Sequence, residues 1–137
     1  MKLFKKLAIN VHSRVEAVAD RIENKEALST AYIQEYERIV AKAKVRSAQV
    51  EGEVTRLEKE AARLREQAEL WADRARRVHS ADESKALACV ARMTEARAGH
   101  RQVLSDLEEA RSLKHKMARD VDGILEKLDA LKRRQRN

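Results

Sequence analysis

The sequence contains no proline, three glycines, one cysteine and four aromatic residues in 137. Without proline and with so little glycine, it lacks the residues that make tight turns. With one Trp, two Tyr and one Phe it also lacks the aromatic material of β-sheets and of ligand pockets. Sheets, barrels and an aromatic-lined small-molecule site are thereby excluded. The lone Cys89 has no partner for an intramolecular disulfide, which suits a reducing compartment. Long apolar runs are missing too. Near the start, Leu7-Ala8-Ile9 is broken by Asn10, His12 and Arg14 before it reaches the length of an export signal, and no run approaches a transmembrane span. The expected location is the cytoplasm, peripheral at the inner face of the cell membrane. What remains is Ala, Leu, Glu, Lys, Arg and Gln, the strong helix formers, with 39% of residues charged.

The formal charge is +7, and its position matters more than its size. Residues 1–14 carry Lys2, Lys5, Lys6 and Arg14, and residues 132–137 carry Lys132, Arg133, Arg134 and Arg136, with no acid in either segment. Taking these two +4 ends from +7 leaves −1 for residues 15–131. A helix that reads nucleic acid would carry its excess along one face, so nucleic acid is not the expected partner.

Two seams organise the middle. Ile33, Tyr36, Val40, Ala43, Ser47, Val50, Val54, Leu57, Ala61, Leu64, Ala68, Trp71, Ala75 and Val78 follow one another at alternating steps of three and four. So do Ala86, Cys89, Met93, Ala96, His100, Val103, Leu107, Ala110, Lys114, Met117, Val121, Ile124, Leu128 and Leu131. That spacing is the heptad pattern of a coiled coil. Between the seams lies His79-Ser80-Ala81-Asp82-Glu83-Ser84, where Asp82 or Ser84 is placed to cap a second helix. A connection this short predicts an all-α antiparallel coiled-coil hairpin over residues 24–137: helix 25–78, turn 79–84, helix 85–137. Paired residue numbers then sum to 164, so that Leu57 meets Leu107, Leu64 meets His100, and Trp71 meets Met93 in a layer near the tip, sulfur against indole. His100 and Lys114 read as polar seam residues whose ends reach water.

Residues 1–23 carry a separate pattern. On a helical wheel Phe4, Leu7, Val11, Val15 and Val18 share one face, flanked by Lys2, Lys5 and Lys6, with Ile9 out of place. This is the arrangement of a helix lying in an anionic membrane surface. Its bland counterpart is a third helix folded back on the hairpin. Asn24 marks the joint to the next helix. In a hairpin the amphipathic segment and the basic tail of Lys132, Arg133, Arg134 and Arg136 emerge side by side.

Little here speaks for chemistry. His12, His79, His100 and His115 are scattered, no His or Cys pair has metal-ligand spacing, and Gly52, Gly99 and Gly123 stand singly in helical stretches, so no phosphate loop exists. The acids alternate with bases, as a solvated helix face requires. No catalytic residue, cofactor or metal site is expected. Trp71 and Met93 are the candidates for partner binding at the tip.

The order of an amphipathic opening with Phe4, then Asp20-Arg21-Ile22-Glu23-Asn24, then Leu28 and Ile33-Gln34-Glu35-Tyr36-Glu37, resembles the phage shock protein A and vesicle-inducing protein in plastids family, the bacterial branch of the ESCRT-III superfamily. Trp71-Ala72-Asp73-Arg74-Ala75 and, after the turn, Leu87-Ala88-Cys89-Val90-Ala91 resemble its hairpin tip. The resemblance implies a peripheral membrane protein that binds stressed, anionic bilayers through its first helix, forms homo-oligomers, and engages a transcriptional activator of the AAA+ class. Two departures accompany it. Asn24-Lys25 stands where the family usually has Asp-Pro, and the sequence ends at Asn137, before the helices with which the family locks subunits into rods and rings, so the resemblance itself does not extend to that form of assembly. The expected function is membrane binding and maintenance or remodelling by self-assembly. The alternative is a soluble coiled-coil adaptor or regulator of an AAA+ ATPase.

Overall fold

A computed structural model describes residues 9, 12–14, 16–17 and 30–136. Among them the backbone is helical except for residues 79–82, and there is no strand. Two long helices account for nearly all of it: α1, Thr30–Val78, and α2, Glu83–Arg136, of 49 and 54 residues. No described helix is long and apolar enough to cross a membrane.

The break between them follows from local chemistry. The amides of Ala81 and Asp82 both donate to the carbonyl of Val78, at 3.1 and 2.8 Å, and so cap the end of α1. Arg76 and Arg77 stand in that last turn, where the helix dipole favours cations. Asp82 is the N-cap of α2: its Oδ1 accepts from the amide of Lys85 at 3.0 Å, and its carbonyl accepts from Ala86 at 3.1 Å. With the cap at Asp82, α2 starts at Glu83, two residues before the expected 85.

The chain divides into two compact units, one holding residues 1–52 and 110–137 and the other residues 53–109. In the first, Ile33, Tyr36, Val40, Ala43 and Val50 of α1 form a buried core with Met117, Val121, Ile124, Leu128 and Leu131 of α2, and Ile39, Leu113 and Leu125 pack against it. The fully buried large side chains, Tyr36, Met117, Ile124, Leu128 and Val50, are all in this unit. Its two helical segments are also tied by ions, Lys132 Nζ to Glu37 at 2.9 Å and Lys114 Nζ to Glu51 at 3.4 Å.

The second unit is built on smaller side chains. Its buried residues are Val54, Leu57, Ala61, Ala68, Ala75, Ala86, Ala96 and Leu107, five of the eight being alanine. Leu64, Trp71, Met93 and Val103 are only half-buried. A Cβ added at Gly99 would meet Leu64 Cδ1 at 3.5 Å, so the leucine lies over the glycine next to His100. All residues of both predicted seams are buried or half-buried and none is exposed. The seam pattern thus marks the contact faces, including Ser47, His100 and Lys114, which are half-buried.

Candidate functional site

The predicted membrane-binding residues Lys2, Phe4, Lys5, Lys6, Leu7, Val11, Val15 and Val18 lie outside the described residues. Their described neighbours, Ile9 and residues 12–14 and 16–17, are helical, and Ile9, the residue out of pattern, is 55% exposed. His12 makes a long-range contact. Its Nδ1 is 2.5 Å from Asp120 Oδ2 on α2, and its Nε2 is 2.9 Å from Glu16 Oε1 one turn on. Both His12 and Asp120 side chains are largely covered, at 29% and 21% exposure. No sequence signal pairs residues 108 positions apart.

The basic tail is partly engaged. Lys132 is spent on Glu37, and Arg133 Nε donates to the carbonyl of Asp129 at 3.3 Å while its side chain stays exposed. Arg134 and Arg136 belong to the last turn of α2, and their side chains lie outside the described residues.

Trp71 and Met93, the candidates for partner binding at the tip, are both half-buried near the turn end of the second unit. The partners on the Trp71 ring are cations: the guanidinium of Arg74 lies 4.7 Å from the ring centroid and that of Arg92 5.0 Å. Met93 lines a groove of about 470 Å³ with Ala72, Ala75, Ala86, Leu87 and Val90. Leu87 and Val90 expose 64% and 40% of their surface there. A different groove of about 320 Å³ is walled by Arg74, Arg77 and Lys85 around Val78, Ala88 and the half-buried Cys89. No protein-family model, curated protein or solved structure matches the chain. The site is therefore read from its own geometry.

That geometry shows two kinds of arginine. On the exposed flank of α1, Arg56 and Arg63 turn their N–H edges to carboxylates: Nη2 to Oε1 at 2.5 Å and Nε to Oε2 at 3.0 and 2.9 Å, on Glu53 and Glu60 respectively. These bidentate bonds hold both glutamates below the usual carboxylate range. Arg76 similarly donates to Asp73 at 2.6 Å. Arg74 and Arg92 instead place their guanidinium carbons over an indole. Among the described residues, no three His, Cys, Asp or Glu side chains are grouped to hold a metal ion.

Proposed function

We propose that the protein is a peripheral membrane-binding coiled-coil protein of the phage shock protein A type. In this reading an antiparallel coiled-coil hairpin carries an N-terminal amphipathic helix that lies in anionic bilayers. Its work is binding and self-assembly, at the inner face of the cell membrane, rather than catalysis. The observation that carries it is the pattern of residues 1–23, in which Lys2, Lys5 and Lys6 flank an apolar face of Phe4, Leu7, Val11, Val15 and Val18. Each lysine near an anionic surface contributes about 1 kcal/mol, and partial burial of five apolar side chains adds several more. The ion pairs Lys132–Glu37 and Lys114–Glu51 support the antiparallel sense, because the partner number on α2 falls as that on α1 rises.

A second reading, a soluble adaptor or AAA+ regulator, draws on the contact of His12 with Asp120, which is what a first helix packed on protein makes. Flotation with anionic liposomes separates them. Phe4→Glu with Val11→Glu should abolish flotation and leave the helical circular dichroism of the hairpin nearly unchanged. A double mutant that floats like the wild type, or that unfolds the hairpin, turns the assignment to the adaptor.

A further inference from the structure

The arginines around Trp71 carry an inference beyond membrane binding and independent of it. A guanidinium held over an indole by its charge keeps N–H groups that an acceptor can still take. Arg74 and Arg92 are both exposed, both lie over the single Trp of the chain, and neither has a carboxylate partner among the described residues. Arg77 and Lys85, also without a carboxylate partner among the described residues, join Arg74 in walling the adjoining groove with their aliphatic stems, and the groove is apolar throughout and includes Cys89. One acid, the exposed Glu95, stands with Arg92 and Trp71 in a second hollow. Elsewhere in this unit, Arg56, Arg63, Arg65 and Arg76 have acids of their own within one helical turn. Arg97 and Arg101 make no such pair among the described residues, so what sets Arg74 and Arg92 apart is their place over Trp71.

We propose that Trp71, Arg74, Arg77, Lys85 and Arg92 form a docking surface for an acidic, partly apolar segment of a partner protein. Carboxylates would take the guanidinium N–H groups in bidentate pairs, and an apolar side chain would enter the groove beside Cys89. The indole holds the arginines in place in advance, which reduces the ordering cost of binding.

The chain supplies its own reporters, one Trp and one Cys, both in this surface. The full-length protein is titrated with a twelve-residue peptide of glutamates interspersed with leucines, following Trp71 emission and the rate of Cys89 alkylation. A saturable change in emission with slowed alkylation is expected, weakening as salt is raised. Arg74→Gln with Arg92→Gln should weaken the peptide about tenfold, as the loss of two charge pairs implies. Arg56→Gln with Arg63→Gln removes the same formal charge from the same unit and should leave binding within about twofold of the wild type. Without peptide, Cys89 should favour iodoacetate over iodoacetamide more than the urea-unfolded chain does, and Arg74→Gln with Arg77→Gln should remove that preference. Equal weakening by both double mutants overturns the proposal, because it makes the effect one of net charge. So does the absence of a saturable response. Loss of flotation with phosphatidylglycerol vesicles in Arg74→Gln with Arg92→Gln, with the peptide titration unchanged, assigns the surface to lipid headgroups and also overturns it. Failure of the first helix to anchor the protein to vesicles leaves the peptide titration unaffected, so the two readings fail separately.

Discussion

The two units bury different things. In the unit of residues 30–52 and 110–136, Tyr36, Met117, Ile124 and Leu128 are each at most 2% exposed. In the unit of residues 53–109 most of the buried positions are alanine, while Leu64, Trp71 and Met93 stay half open. The ion pairs differ in the same way. Lys132–Glu37 and Lys114–Glu51 join one helix to the other, whereas Arg56–Glu53, Arg63–Glu60 and Arg76–Asp73 stay within α1. The first unit spends its large side chains on cohesion. The second relies mostly on alanines beside Val54, Leu57 and Leu107 for contact and leaves Leu64, Trp71 and Met93 half-exposed.

The comparison breaks most easily at the cores. Leu128→Ala deletes a side chain 2% exposed in a continuous apolar cluster and should cost about 3 kcal/mol. Leu64→Ala, at a half-buried position over Gly99, should cost about 1 kcal/mol. Guanidinium unfolding followed by circular dichroism at 222 nm reads both. Equal losses would mean that the alanine-lined unit is as tightly packed as the other, and the contrast would not hold.

These differences trace the limits of the sequence. Steps of three and four identified every buried position from Ile33 to Leu131, because a helix face is a property of spacing, while Ile39, Leu113 and Leu125 pack against the core from beside the seams. Asp82 was legible as a cap for the same local reason. A seam position does not tell which charged neighbours reach a large side chain, as the two guanidinium groups over Trp71 show. Arg74 over Trp71 is one turn away and readable, but Arg92 arrives from the other helix and His12 reaches a residue 108 positions on. Those contacts depend on tertiary placement, which no local pattern contains.

The contrast can also be narrowed from the weaker side. His100 is a half-buried polar residue on the seam of the second unit, beside Gly99 and Leu64. Replacing it by leucine should raise stability by about 1 kcal/mol, the usual cost of a polar group at such a position. The same guanidinium titration measures it. A clear loss would show that His100 has a polar role in this layer that a leucine cannot take over.

The smallest effect concerns the surface pairs of α1. Hydrogen bonds from Arg56 and Arg63 hold the carboxyls of Glu53 and Glu60 below their ordinary value of 4.5. A carboxyl whose value is lower in the folded state binds fewer protons there than when unfolded. Its contribution is therefore complete above the ordinary value, and is lost as pH falls below about 4.5 through the lowered one. The arginine of each pair is exposed to solvent, which screens the pair although its glutamate is half-buried, so the contribution is that of a surface ion pair and small. Glu53→Gln with Glu60→Gln should leave the midpoint of thermal unfolding almost unchanged at low pH, where the wild-type carboxyls are already protonated. At pH 7 and low salt it should lower the midpoint slightly. The difference should shrink as salt is raised, since screening acts on these pairs and leaves the buried layers untouched. Thermal scans of both proteins from pH 3 to 7 would read this. A mutant whose deficit persists unchanged at low pH and in high salt would place Glu53 and Glu60 in the packing of the second unit, and its flank would then contribute cohesion as the first unit's charges do.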